Sequence, residues 1–228
     1  MRNLPSEFLS LAKYLKEHNI NAYLIGSSSR DFLLGLDIHD YDIAVDKDID
    51  EVLPLFIEKM DKYKMYGSIV VKHEGVKFDI TSFRKEKMYK DHRHPSLIEF
   101  TNKIEEDFPR RDFTINALYI DMDGKIYDFS SGVMDLNGHL IRMIGDPRKR
   151  IKEDPLRILR AIRFALIYDF EIEESLMFAI KRYGNLLSEI SSGKIESELN
   201  KMRKANVLEM DIKKEFSKYN IAQYYMKK

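Results

Sequence analysis

Every strand signal in this chain lies in its first 145 residues, and everything after them reads as helix. Ala22–Ile25 is a short apolar run, and Asp42–Val45 has strand character. Ser68–Lys72 and Val76–Phe83, split by Glu74-Gly75, predict a β-branched hairpin. Ile115–Ile120 and Lys125–Tyr127 flank Asp123-Gly124, a second hairpin signal. Among these lie helical patterns. Phe8, Leu11, Ala12 and Leu15 share one face, Arg30–Leu34 reads as a helix start, and Val52–Met60 has helical spacing. The charged, His- and Tyr-rich residues 85–98 read as a loop. Further on, Asp146-Pro147 and Asp154-Pro155 each pair an N-cap with a proline suited to a first helical turn. Helices are expected over 155–168, 173–184, 194–204 and 208–218. The segregation predicts an α+β protein: a first part with a mixed β-sheet flanked by helices, then an all-helical part. The boundary falls near 135–145, after Gly132 and Gly138.

At 228 residues the chain can bury a real core. It has no cysteine, which excludes disulfides, cysteine-ligated zinc and a cysteine nucleophile. No apolar run approaches the ~20 residues that cross a bilayer. The opening stretch MRNLPSEFLSLAKYLKEHN is amphipathic and has no signal-peptide core, so a cytoplasmic place is expected. Lysine plus arginine and aspartate plus glutamate both total 38, which removes the simplest argument for nucleic-acid binding, a strongly basic chain. The charge is unevenly spread, however. Residues 31–61 carry ten acids against Lys47 and Lys59, whereas 142–163 carry eight basic residues against three acids, and the stretch from Lys201 is again eight against three. Such a layout suits metal on one wall and a polyanion on another. Solvated helix faces of differing sign would produce the same pattern.

Three constellations carry chemistry. Gly26-Ser27-Ser28-Ser29-Arg30 follows a strand and opens a helix, presenting backbone N–H groups to an anion. Asp40-Tyr41-Asp42 would place two carboxylates on one strand face, an arrangement that packing explains poorly and divalent metal explains well. The plainer reading is a polar turn with scattered acids. Arg110-Arg111-Asp112-Phe113-Thr114-Ile115-Asn116 sets adjacent arginines beside an apolar strand, which suits a triphosphate or a surface ion pair. In Glu153 to Arg163, Asp154, Arg157, Arg160 and Arg163 fall three apart and form a drifting polar ridge on a helix. Leu156, Leu159, Ile162 and Phe164 supply its apolar contacts. Asp154 accepts hydrogen bonds and Arg157 donates them, so the pair can read a base edge, or can cap and solvate an amphipathic helix.

In order and spacing these motifs resemble the class II tRNA nucleotidyltransferases: the CCA-adding enzymes and the related bacterial poly(A) polymerases. The family's Gly-Gly-x-x-Arg-Asp and Asp-x-Asp stand here as Gly26-Ser27-Ser28-Ser29-Arg30-Asp31 and Asp40-Tyr41-Asp42. Its Arg-Arg-Asp-Phe-Thr-x-Asn-Ala is intact from Arg110 to Ala117. Its Asp-x-x-Gly-Gly-x-x-Asp-Leu runs from Asp128 to Leu136, with Ser131 in place of one glycine, and its Glu-Asp-x-x-Arg-x-x-Arg is intact from Glu153 to Arg160. The likeness spans residues 20 to about 170.

The resemblance implies a nucleotidyltransferase head over residues 1–138 and a helical neck over 139–228. It implies two Mg²⁺ ions on the catalytic residues Asp40 and Asp42, with Asp79 as a supporting carboxylate. Gly26, Ser27, Arg30 and Arg111 would bind triphosphate, and Asp112 and Asn116 would sit near the ribose. Asp154 and Arg157 would template ATP or CTP, with Arg160 and Arg163 completing the pocket. The substrates would be ATP, CTP and a tRNA 3′ end, to which CCA or only the terminal A is added. No membrane is involved. Residues 84–99 resemble the loop of A-adding members, and Asp91, His92 and His94 within it also admit a zinc reading. Ser27 and Ser131 depart from family glycines, and Gly193 to Leu199 lacks the first acid of the family's neck pattern. Family members continue into body and tail domains that grip tRNA, so a partner protein or dimer is implied as their substitute. The competing readings are a poly(A) polymerase or other RNA-tailing enzyme, a non-catalytic nucleotide- or RNA-binding module, and transfer of a nucleotide to protein.

Overall fold

The computed structural model describes residues 2–61, 63–89 and 95–225. They form two compact units, residues up to Met88 with Pro95–Val133, and Met134 onward.

The first unit is built on a seven-stranded sheet. Helix α1 (Ser6–Glu17) buries Phe8, Leu11, Ala12 and Leu15, the face its periodicity predicts. Strand β1 (Ala22–Leu24) leads at once into α2 (Gly26–Leu33), which begins four residues earlier than the expected start at Arg30. Gly26 makes this possible. At φ 63° it takes the left-handed conformation that turns strand into helix without a Cβ penalty. Strand β2 (Tyr41–Val45) follows.

The helix expected over Val52–Met60 does not form. A single turn, α3 (Ile49–Val52), gives way to a 3₁₀ turn over Leu53–Leu55 and then to the edge strand β3 (Lys59–Met60). Pro54 supplies no backbone N–H, so the α-helical ladder cannot pass through it. The first hairpin forms as predicted, as β4 (Ser68–His73) and β5 (Val76–Ser82), with Glu74 and Gly75 both at positive φ in its turn. Most of the expected loop over 85–98 is instead two paired strands, β6 (Arg84–Tyr89) and β7 (Pro95–Phe100). The charged run Arg84–Lys87 of β6 and the adjacent Leu97-Ile98 of β7 lack the apolar alternation that reveals a strand. Asp91, His92 and His94 lie outside the described residues.

Helix α4 (Ile104–Asp107) precedes the second hairpin, β8 (Leu118–Ile120) and β9 (Ile126–Asp128). Its first strand is shorter than expected, because Thr114–Asn116 is a 3₁₀ turn. Sheet order is β3-β4-β5-β2-β1-β8-β9. Only β2 and β5 run parallel, with Asp42 beside Asp79; the remaining neighbours are antiparallel. The core between α1 and the sheet includes Phe8, Leu24, Ile43, Phe78 and Ile80. Helix α5 (Gly132–Asn137) begins where the Asp128 carboxylate accepts from the N–H groups of Ser130, Gly132 and Val133.

The second unit is helical. After β10 (Leu140–Ile141) come α6 (Pro147–Glu153), α7 (Leu156–Tyr168), β11 (Glu171–Ile172), α8 (Glu174–Tyr183), α9 (Ser192–Lys204) and α10 (Glu209–Lys218). The four expected helices are present within two residues at each end. One parallel pairing, Leu140–Glu171 and Ile141–Ile172, adds strand after residue 145, where none was expected. Two residues are too few to show a period. Asp146 caps α6 by accepting from Arg148 N–H, with Pro147 at the first helical position.

Candidate active site

In the first unit, the Gly26–Ser29 turn grips the Asp40–Asp42 segment. Ser27 donates to Asp42 Oδ2 twice, from its backbone N–H at 3.1 Å and from Oγ at 2.6 Å. Ser28 Oγ accepts from Asp42 N–H at 2.7 Å and donates to the Asp40 carbonyl at 3.0 Å. Ile25 N–H donates to the Asp42 carbonyl. A Cβ on Gly26 would stand 3.0 Å from Asp42 Oδ2, so glycine is needed for its contact as well as its φ. The turn therefore fixes one carboxylate in place. Ser28 does as much of this as Ser27, and the motif pattern does not mark it; its one signal in the sequence is the run of three serines.

Asp40 lies in the bend before β2, not on the strand. It is exposed, and no described residue pairs with its carboxylate. Asp42 is half-buried on β2 beside Asp79 on β5. Burial lifts the Asp79 carboxyl above its ordinary value. Lys77, 3.8 Å away, opposes the lift, and the charges of Asp42 and Asp40 add to it. Three carboxylates thus share one electrostatic neighbourhood. Among the described residues no group of three or more metal-ligating side chains is close enough to cage an ion. The hard oxygen donors of the neighbouring Asp42, Asp40 and Asp79 suit Mg²⁺, which takes one or two carboxylates and fills its shell with water and phosphate oxygens.

Arg30, Asn116 and Asp112 are brought together as a chain of hydrogen bonds. Arg30 is buried, donating to Asn116 Oδ1 at 2.7 Å and to Asp31 at 3.0 Å. Asn116 Nδ2 donates to Asp112 Oδ1 at 3.2 Å, and Phe113 N–H donates to the same oxygen.

Arg111 is committed elsewhere. Its guanidinium donates to Asp107 at 2.9 Å and to Tyr119 Oη at 2.8 Å, and lies over the Tyr119 ring. Asp107 is fully buried and also accepts from Arg110 Nε, the Tyr119 hydroxyl and Arg84 N–H. Burial alone would raise its pKa; Arg110 and Arg111 reverse that and hold it well below the usual carboxylate range. Burial and the neighbouring Arg110 lower the Arg84 guanidinium to about 10. The adjacent arginines thus serve a buried carboxylate in this structure. Asp107 lies three residues before them, a spacing that alone says nothing about burial.

In the second unit, α7 carries the ridge, with Leu156, Leu159, Ile162 and Phe164 buried as expected. Pro155 takes the cap position and Asp154 precedes it, its Oδ1 accepting from Leu156 N–H at 3.1 Å. Arg157 is buried and held by the Arg150 carbonyl at 2.7 Å and by Glu153 at 3.1 Å. Arg160 and Arg163 both lie over the Phe164 ring. Arg163 also donates to Glu198 on α9 at 2.7 Å, which makes it a helix–helix tie. Burial would raise the Glu198 carboxyl, but Arg163 and Lys201 hold it below its ordinary value. Asp135, almost fully buried, pairs with Arg142 at 3.1 Å.

Residues 22–142 match the family described as Poly A polymerase head domain. The chain belongs to the poly(A) polymerase head-domain family. It is similar to the CCA-adding enzyme of Ligilactobacillus salivarius, 41% identical over 201 residues. That match covers 87% of this chain and 50% of the relative, so the chain spans about half the length of that protein. Among solved structures, the Bacillus stearothermophilus CCA-adding enzyme in complex with CTP aligns with a TM-score of 0.79 at 33% identity. The match covers 87% of this chain and 49% of the other. The Thermotoga maritima CCA-adding enzyme complexed with tRNA aligns at 0.75 and 26% identity, covering 98% and 53%. The family match includes the Gly26 turn, Asp40, Asp42, Asp79 and the Arg110–Ala117 segment; α7 lies beyond it. No helix among the described residues is long and apolar enough to cross a membrane.

Proposed function

We propose that this chain carries out the nucleotide-transfer chemistry of tRNA 3′-end maturation, adding CCA, or its terminal A, from CTP and ATP. The observation that carries the reading is the fixed Asp42 carboxylate, gripped by the Gly26–Ser27 turn and flanked by Asp40 and Asp79. The relatedness to CCA-adding enzymes supports it. The molecules bound to those relatives, CTP and tRNA, are the substrate classes assigned here.

Each unit has its share of the work; residues 1–138 are assigned as head and 139–228 as neck. Asp40 and Asp42 would hold Mg²⁺, with Asp79 in support. When bound, the two ions supply activation of the RNA 3′-hydroxyl and charge neutralisation of the leaving pyrophosphate. Gly26, Ser27 and Arg30, on the turn that opens α2, would bind the triphosphate. Arg30 orients Asn116, and through it Asp112, toward the ribose. Arg111, with Arg110 and Asp107, acts as the buried anchor of this wall. The 3′-oxygen attacks the α-phosphorus, a new P–O bond forms, and the bond to pyrophosphate breaks. The protein's own contribution is position and fixed charge. In the second unit, Asp154 and Arg157 read the base, with Arg160 beside them and Arg163 fixing α7 on α9. The use of CTP and ATP supports a cytoplasmic place for this work.

Nucleotide binding tests the reading. With Mg²⁺ present, CTP and ATP are expected to bind, and GTP and UTP to bind at least about tenfold more weakly, the effect of one lost base hydrogen bond or so. Equal binding of all four, or none, would refute base reading by this chain.

A further inference from the structure

The second unit holds a cavity of about 590 Å³ between the end of α7, β11, α8 and α10, which the nucleotide chemistry does not use. Sites for small organic ligands run from roughly 300 to 1,000 Å³. Leu140, Leu166, Phe170 and Met177 supply its apolar wall. Its charge is lopsided: Asp169, Glu171, Glu173, Glu174 and Glu215 line it, against Arg142 and Lys218.

Both cations are already taken. Arg142 pairs with Asp135 at 3.1 Å and reaches Glu173 at 3.8 Å, and Lys218 pairs with Glu215 at 3.0 Å. Glu173 also caps α8, accepting from Leu176 N–H. Asp169, Glu171 and Glu174 make no ion pair among the described residues. They come from three elements: the C-cap of α7, strand β11 and the first residue of α8.

A second observation points to a ligand. Tyr219, at the C-cap of α10, lines the cavity and is 1% exposed, and its hydroxyl makes no hydrogen bond. The charge of Glu215 acts on that hydroxyl without reaching hydrogen-bond geometry. Burial and this charge raise its pKa, so it stays neutral. A buried hydroxyl without a partner costs free energy, and folded proteins seldom leave one so. Its oxygen is open to accept from an ammonium N–H.

The spacing of the acids decides the kind of cation. A single metal ion needs its donors gathered, and no three carboxylates of the described residues stand close enough to hold one. Carboxylates set apart by apolar surface match charges carried along a hydrocarbon chain. We propose that this cavity is a binding site for an aliphatic polyamine, with the Tyr219 hydroxyl accepting from one of its ammonium groups. Its methylenes bury against Leu140, Leu166 and Met177, and its other charges meet Asp169, Glu171 and Glu174. The site stands apart from the nucleotide chemistry proposed above.

The test is isothermal titration calorimetry of the full chain with spermidine at near-physiological salt. Mg²⁺ is kept in excess, so that the carboxylates of the first unit are occupied. One spermidine per chain is expected. Binding of n-butylamine should be at least about tenfold weaker, since one ammonium engages only one carboxylate. Glu171→Gln/Glu174→Gln should weaken spermidine binding about tenfold. Tyr219→Phe removes only the hydroxyl and should weaken it about threefold to tenfold. That variant should show no loss of Tm without spermidine, because the group removed has no partner in the fold. Asp50→Asn/Glu51→Gln, two exposed acids of α3, should change spermidine binding by less than about twofold. Unchanged affinity in either Glu171→Gln/Glu174→Gln or Tyr219→Phe would overturn the proposal. So would binding that Mg²⁺ abolishes or that n-butylamine matches, either of which marks diffuse attraction of cations.

Discussion

Ser27 Oγ donates to Asp42 Oδ2 across 2.6 Å, and the Ser27 N–H donates to the same oxygen. Where the resembled family carries a second glycine, this chain has a hydroxyl that fixes a proposed metal ligand. A hydrogen bond to a charged group contributes about 1.5–3 kcal/mol. Ser27→Ala keeps the backbone bond and loses the shorter one. Its kcat/KM for nucleotide incorporation is expected to fall about tenfold, with Mg²⁺ dependence shifted to higher concentration. A magnesium titration of single-turnover rates would show it, and parental rates at every concentration would remove Ser27 from the positioning of Asp42.

Gly26 is the residue least open to change in this turn. Gly26→Ala adds a Cβ 3.0 Å from Asp42 Oδ2 and holds an L side chain at φ 63°. A loss of incorporation of about 100-fold or more is expected, against roughly 1–2 kcal/mol of stability. Parallel kinetics and urea unfolding would separate the two. Full activity would mean that the turn and Asp42 can move apart freely.

Asp107 makes the fold sensitive to acid. Its folded pKa lies below the unfolded value, so it binds a proton less readily when folded. The stability it contributes is fully present above the ordinary aspartate value near 3.9 and is lost as pH falls through the lower folded value. Asp107→Asn leaves Arg110 and Arg111 without their shared buried charge. A cost of about 3–5 kcal/mol at pH 7 is expected. The gap from the parent should hold down to about pH 4 and narrow only below it. Urea unfolding of both proteins from pH 3 to 8 would check this, and a gap that widens in acid would contradict it.

Much of this architecture was readable in the chain. Apolar periodicity located α1 and the four later helices, and Glu74-Gly75 and Asp123-Gly124 located both hairpins. What stayed hidden had no period of its own. Strand β6 is charged over most of its length, β7 opens on Pro95 and sets Leu97 beside Ile98 without alternation, and β10 and β11 are two residues each. The site was legible as a set of residue types but not as contacts. Arg30 and Arg111 read as phosphate ligands, yet the fold draws one to Asn116 and the other to Asp107. Arginine offers five donors to any acceptor that geometry brings, and only tertiary structure says which. Asp128 and Asp135 lie within a recognised motif, and their partners, the α5 amides and Arg142, appear only in the folded chain.

Arg157 tests base reading apart from stability. It is buried against the Arg150 carbonyl and Glu153, so Arg157→Ala is expected to cost about 2–4 kcal/mol of stability as well as discrimination. Arg157→Lys keeps the charge and loses the planar fork. In that variant the preference for CTP and ATP over GTP and UTP should drop at least tenfold, with triphosphate affinity within about threefold of the parent. Competition binding of the four nucleotides would measure it. Unchanged preference in a folded Arg157→Lys protein would take base reading away from this residue.

The most direct measurement of the central claim is incorporation of labelled CTP and ATP, separately and together with Mg²⁺, by the parent chain and by Asp42→Ala. The acceptors are tRNA transcripts lacking CCA, ending in CC and ending in CCA. The parent should extend the first two, or at least the CC-ending transcript with A, and stop at CCA, while folded Asp42→Ala adds nothing. Addition by Asp42→Ala at the parental rate would contradict the account at its centre, as would unlimited addition of A to all three.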